Sequence, residues 1–379
     1  ERLLHALIVG AVALTPLYSA GDVLALLAGL VQSQQATYTP LYIKALKDLF
    51  VVAIGGVGLL AVLLRGRATL LVIPLAILGL YVAAAALQAA QVAPALSLAG
   101  VRWILPVLIA VVLVGSVDER LLARLADVTG LLLVLHVGMQ VVELFYMSHW
   151  FGRNALGLAA RVPGMFFLPN TASFFAVTTF VLATFHGHRR WLRRLVFALV
   201  PVSVLMTQSG TGLIVFVLTV GMLAVARRDA RRAIPLLVAA LVGVLLLLPL
   251  LPYLTGRGGD YVAISGGGRV EILLRVLSSS ELFPHYFGHA TNTAVSFSAN
   301  LGPLVGGGRD LSIIADSTYA SVIGNLGLLG AAAMVVAGVV WLLFLVCTPR
   351  LELYVVTLVF GLFGATTLVT EAYPMSLLA

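Results

Sequence analysis

The sequence predicts an all-α polytopic integral membrane protein with about eleven transmembrane helices and one long extracytoplasmic loop carrying short helices. Three observations predict it. The chain is 61% hydrophobic and only 10% charged, with a mean hydropathy of +1.09, whereas a soluble domain sits near half apolar and a quarter charged. Its apolar runs reach about 20 residues without strand alternation, and in lipid only a helix satisfies its own backbone over such a length. Its basic residues gather in alternate short loops, the pattern of membrane orientation.

Taken in order, the apolar runs place spanning cores at 4–20, 50–64, 70–87, 104–117, 128–146, 171–185, 195–206, 213–226, 234–254, 319–346 and 353–369. The first is long enough to span and carries no signal-peptide pattern; an extension of it to Leu30 carries a break at Gly21-Asp22. Arg65 and Arg67, then 119–124, then 186–194 (HGHRRWLRR), then 227–232 (RRDARR), then Arg350 all fall on one side. The positive-inside rule makes that side cytoplasmic. The loops at 32–47, 88–98, 147–162 and 255–315 then lie outside. The chain divides into a helix bundle at 1–254, an outer loop or lid at 255–315, and C-terminal helices at 316–379.

The net charge of +8 does not indicate a nucleic-acid partner, because the basic residues serve the loops. A single cysteine, Cys347, rules out a disulfide framework or thiolate metal cluster within the chain. No P-loop, GxSxG or HExxH appears, and no repeat of 20–50 residues is visible.

The outer face nonetheless carries Lys44, Lys47, Arg102, Arg153, Arg161, Arg257, Arg269, Arg275 and Arg309. Orientation does not require them. Arg153, Arg257 and Arg309 read individually as surface or headgroup contacts. As a set, the cations point to an anion held at the outer interface, since arginine fits phosphate bidentately and stays charged in a partly dry site.

On a helical wheel Ile272, Leu273, Val276 and Leu277 fall within about 80° of Arg269, placing that guanidinium in the apolar stripe. It needs an anionic partner there, or must snorkel. Arg275 pairs with Glu271 at i, i+4 on the opposite face. Arg161 precedes Pro169, Asn170 and Thr171, a helix start with its caps. A cation there opposes the helix dipole unless both face one anion. Asp316 opens the run Asp-Ser-Thr-Tyr319; spacing alone favours a helix cap, and the functional reading is a carboxylate that takes a proton from a sugar hydroxyl. His285 and His289 stand at i, i+4, but Pro284 and Gly288 oppose a regular helix and no third ligand accompanies them, so no metal is expected.

At these residues the chain resembles the O-antigen ligase/polymerase family of bacterial inner-membrane glycan enzymes. The resemblance rests on Arg161, Gly164, Pro169 and Asn170 at a helix entry, then Gln208-Ser-Gly-Thr-Gly-Leu213, then an outer loop whose helix bears Arg269, then Asp316, Ser317, Tyr319 and Gly327-Leu-Leu-Gly330. Lys44 and Lys47-Asp-Leu-Phe50 are also similar. It covers 161–345 best. It implies a GT-C-like transfer at the periplasmic face, without metal or cofactor, from a glycan on undecaprenyl pyrophosphate. Implied partners are that lipid-linked oligosaccharide, membrane lipid, and a chain-length regulator or flippase. Ligases of the family carry His where this chain has Asp316, so the likeness leans toward a polysaccharide polymerase. Gly210 replaces the usual arginine of the second motif.

The expectation is therefore a polymerase in which Arg161 and Arg269 take the pyrophosphate and Asp316 orients and deprotonates the acceptor. Arg275, Tyr319, Asn170, His285 and His289 are the expected substrate-binding residues. The alternatives are a ligase moving glycan to lipid A core or another acceptor, and a lipid-linked sugar transporter. The near-absence of charge in the spans, with Asp127 and Glu143 toward helix ends, weighs against the transporter.

Overall fold

The computed structural model describes residues 2–28, 39–64, 68–146 (apart from 93, 114 and 115), 161–226 (apart from 167) and 317–366, with short stretches between 234 and 287. Among the described residues the regular elements are all helical. In chain order they are α1 (Arg2–Ala13), α2 (Thr15–Tyr18), α3 (Ala20–Leu27), α4 (Leu41–Leu64), α5 (Ala68–Val92), α6 (Pro94–Leu113), α7 (Glu119–Tyr146), α8 (Pro169–His186), α9 (Arg190–Thr207), α10 (Gly210–Ala226), α11 (Thr318–Cys347) and α12 (Leu351–Thr366).

Among the described residues, three helical segments are long and apolar enough to cross a membrane: Leu46–Leu64, Glu119–Phe145 and Thr318–Cys347. Shorter apolar helices at Arg2–Ala13, Ile77–Gln88, Gly100–Ala110, Gly210–Ala226 and Leu351–Gly364 add to them. The chain is a helical membrane protein. The ninth predicted span and the loop at 255–315 lie almost wholly outside the described residues. The first predicted span differs from expectation: it is broken at Leu14 and Ser19, and α3 runs unbroken through Gly21-Asp22, where the sequence places the break. Pro16 sits in the first turn of α2, and Leu14 and Ser19 are its non-helical flanks.

The chain forms two compact units, one of 1–71, 106–218 and 372–379, the other of 72–105 and 219–371. In the first unit α7, α8 and α9 pack on one another, and α1 packs on α4 and α7. α8 is buried nearly all round, from Pro169 to His186, as a helix apolar on every face must be. α9 is amphipathic: it buries Leu192, Val196, Val200, Val204 and Thr207 and exposes the arginines of its first turn. Those arginines mark one end of the bundle. There His186 Nδ1 lies 3.0 Å from Glu119 Oε2, and Arg189 Nε 3.0 Å from Asp127 Oδ2. Because α8 and α9 are antiparallel neighbours, Pro169 and Thr207 share the opposite end, where α7 finishes at Tyr146.

In the second unit α11 packs on α12. Trp341 Nε1 donates to Thr357 Oγ1 at 2.9 Å and Tyr354 Oη to the Leu345 carbonyl at 2.8 Å. α11 is discontinuous: Gly327 takes φ 69 and ψ −172. The N–H groups of Leu328 and Leu329, which open its second half, donate to the carbonyls of Glu281 and Leu282 at 2.9 and 3.2 Å. Tyr81 Oη donates to the Leu326 carbonyl on the other side of the break. Beyond the break the helix exposes Val335, Val336, Val339, Val340, Leu343 and Val346, an apolar surface suited to lipid.

Candidate functional site

The first unit holds a backbone turn deep in its helices. Residues 161–166 leave the surface, fold back, and return through Pro169 into α8. His136, Gln140 and Glu143 face this turn from α7. Their i, i+4, i+7 spacing puts them on one stripe of the helix. All three are buried. His136 lies ten residues before the end of α7, about 15 Å along the axis. Non-helical backbone buried there requires partners from the protein itself.

Each stripe residue takes one backbone group of the turn. Gln140 Nε2 donates to the Val162 carbonyl at 2.8 Å and reaches the Ser203 carbonyl of α9 at 3.4 Å. Glu143 Oε2 accepts the Gly164 N–H at 2.6 Å. His136 Nδ1 accepts the Met165 N–H at 3.3 Å, which leaves the ring proton on Nε2 when the imidazole is neutral. The His136 ring also meets Phe166 and Phe175 edge-on, with centroids 5.5 and 5.7 Å away. Ser19 Oγ donates to the Met165 carbonyl, and the Val162 N–H donates to the Met206 carbonyl at 3.2 Å. Gly164 is required here. Its φ is +61, and a Cβ would stand 2.7 Å from Gln140 Cγ and from His136 Nδ1.

Arg161 sits at the mouth of the turn, half-buried, with Nη2 3.3 Å from the Gln208 carbonyl. Gln208 is the left-handed C-cap of α9, at φ 47. The dipole of α9 thus supplies a favourable field for this cation. Asn170, in the first turn of α8, accepts the Ser209 hydroxyl at 2.8 Å. Ser209 in turn accepts the Gly212 N–H at 3.1 Å, capping α10. The two sequence motifs at 161–170 and 208–213 are therefore brought together, and the N-termini of α8 and α10 meet beside Arg161. Ser173 and Thr207 share a hydrogen bond of 2.9 Å just below.

In the second unit the N-cap of α11 is Ser317. Its φ and ψ are −132 and 136, and its hydroxyl accepts the Ala320 N–H. The Ser317 hydroxyl also lies 3.3 Å from the Gly364 carbonyl. Asp316, Arg269, Arg275, His285 and His289 lie outside the described residues. The Tyr319 hydroxyl donates to the Gly361 carbonyl at 2.8 Å, tying α11 to α12.

Sequence reasoning assigns His136 and Gln140 no role and offers Glu143 only as an acid toward a helix end. Their signal is present: three polar side chains recur at helical spacing in an otherwise apolar run. No cluster of three metal-ligating side chains occurs among the described residues. No family model, curated protein or solved structure matches the chain.

Proposed function

We propose that this chain is a glycosyltransferase that polymerises lipid-linked polysaccharide repeat units on the outer face of a bacterial inner membrane. The observation that carries the reading is the placement of Arg161 beside the paired N-termini of α8 and α10, at the bundle end opposite the exposed arginines of α9. The Gln208 carbonyl at the C-terminus of α9 holds the guanidinium, and the two helix N-termini beside it favour a phosphate-bearing ligand. The positive-inside rule assigns that end to the outer side.

In this reading Arg161 and Arg269 bind the pyrophosphate of an undecaprenyl-linked glycan. The Asp316 carboxylate takes the proton of the acceptor sugar hydroxyl. The hydroxyl oxygen attacks the anomeric carbon of the donor, and the bond from that carbon to the phosphate oxygen breaks. The two guanidiniums take up the charge that develops on the leaving pyrophosphate, a recognised source of rate. The cap at Ser317 supports the role of Asp316, because the helix start is already provided for. An aspartate in place of the ligases' histidine favours polymerisation over transfer to lipid A core, and chain-length regulators or flippases are the expected partners.

The test uses purified protein and lipid-linked repeat units, with products resolved by size on a gel. Wild type is expected to build a ladder that remains on polyprenyl lipid. Arg161→Ala, Arg269→Ala and Asp316→Asn are each expected to abolish it. A full ladder from Arg269→Ala would remove the pyrophosphate assignment. A single transfer to a distinct acceptor would make the chain a ligase. The discontinuity of α11 at Gly327, beside buried Ser321 and Asn325, favours a second reading, a lipid-linked sugar transporter. Translocation of the lipid-linked unit in proteoliposomes, with no ladder, would establish it.

A further inference from the structure

We propose that Gln140 and Glu143 are positioning residues that set Arg161 against an anionic pyrophosphate by holding the backbone of residues 162–164. The proposal rests on the ligand-binding reading of Arg161 given above. Both backbone polar groups of Val162 are fixed: its carbonyl by Gln140 at 2.8 Å, its N–H by the Met206 carbonyl at 3.2 Å. The peptide held through the Val162 N–H is bonded to the Arg161 Cα, and only the two soft dihedrals at the Val162 Cα separate it from the peptide held by Gln140, so the point from which the Arg161 side chain departs is fixed. The Gln140 amide also reaches Ser203 on α9, so one side chain ties the turn to two helices. Glu143 holds the next peptide but one through the Gly164 N–H.

The residue types carry the inference further. A turn that served only to connect α7 to α8 could run across the surface, where water satisfies its backbone. This one descends among the helices and is matched by an amide and a carboxylate on the same stripe of α7. Gln140 and Glu143 are buried polar side chains that need partners, and the backbone of the turn supplies them. The described site that this turn carries is Arg161 with the N-termini of α8 and α10. A guanidinium displaced by an ångström no longer meets its phosphate in a good geometry, so rigid support of its backbone contributes directly to binding.

The experiment measures binding of undecaprenyl pyrophosphate to the full chain in lipid nanodiscs. Gln140→Leu and Glu143→Leu are each expected to weaken it about tenfold, the effect of losing one buried hydrogen bond that orders the site. Arg161→Ala is expected to weaken it at least as much. In the Arg161→Ala background Gln140→Leu is expected to add nothing further. Glu143→Gln keeps an acceptor for the Gly164 N–H and is expected to bind as wild type does.

If Arg161→Ala binds normally, the reading of Arg161 itself fails. If Arg161→Ala loses binding while both leucine variants keep it, the positioning role is wrong and the reading of Arg161 survives. An equal loss from Gln140→Leu with and without Arg161 means general loosening, and overturns the proposal. Should the leucine variants not yield folded protein, Gln140→Asn carries the test. Its amide is one methylene too short for Val162, and weaker binding is expected. Wild-type binding by Gln140→Asn overturns the proposal.

Discussion

Glu143 and Gly164 are joined by a 2.6 Å hydrogen bond from the glycine N–H to the carboxylate, buried between α7 and a turn that precedes α8. The two residues need each other for opposite reasons. The carboxylate needs donors because it is out of water. The glycine needs to lack a side chain because α7 leaves no room for one. The bond fixes how the chain descends from Arg161 and climbs back to Pro169.

Gly164→Ala is therefore expected to destabilise the protein by about 1–3 kcal/mol, from strain at positive φ and from overpacking. The new methyl would meet Gln140 Cγ and His136 Nδ1 at 2.7 Å. The thermal midpoint of detergent-purified protein checks this. A midpoint equal to wild type would mean that the turn has an easier path than the one described.

Ser317 and Asp316 can be separated by stability and activity. Ser317→Ala removes the acceptor for the Ala320 N–H and is expected to cost about 1 kcal/mol. Asp316→Asn is expected to leave the midpoint unchanged while abolishing polymer formation. Loss of stability from Asp316→Asn, with activity retained, would return the carboxylate to a capping role.

The helical class and the helix start at Pro169 were legible because they rest on local chemistry, apolar runs and a proline. The caps were not: α8 starts at Leu168 with no side-chain cap in place of the expected Asn170 or Thr171, and Ser317 rather than Asp316 caps α11. Nor was the descent of residues 161–166. Hydropathy reports composition along the chain, and the turn is defined by what α7 offers it across space. Glu143 illustrates the point. By position it lies three residues from the end of α7, as the sequence suggests, yet it is buried because the chain folds back over it. The break in α11 was hidden for a similar reason. Gly324-Asn-Leu-Gly-Leu-Leu-Gly330 sits inside one long apolar run, and glycine is compatible with either an intact or a broken helix.

Gly327→Ala distinguishes those two states. Its φ of 69 and ψ of −172 belong to a region open almost only to glycine. A Cβ would stand 2.7 Å from the Leu282 carbonyl oxygen, a backbone atom that cannot move aside alone. The substitution is expected to cost about 1–3 kcal/mol and to release the segment at Glu281 and Leu282. Faster amide exchange at Leu328 and Leu329, whose N–H groups donate to that segment, is the direct measurement.

Asp118 ties the stability of the first unit to pH. Its carboxylate accepts the Leu121 N–H at 2.8 Å at the start of α7. That backbone bond lowers its pKa below the ordinary aspartate value. Some desolvation opposes the shift, and His5 and Arg120 reinforce it. A carboxyl whose folded pKa lies below its unfolded value of about 3.9 stabilises the folded state in its charged form. The contribution is complete above the unfolded pKa and is lost as pH falls through the lower, folded one. Wild type is therefore expected to lose more thermal stability than Asp118→Asn when pH is brought from neutral to below the aspartate range. Asparagine keeps an acceptor for the Leu121 N–H and does not titrate. Parallel midpoint-against-pH curves for the two proteins would show that the Leu121 bond does not favour the charged carboxylate.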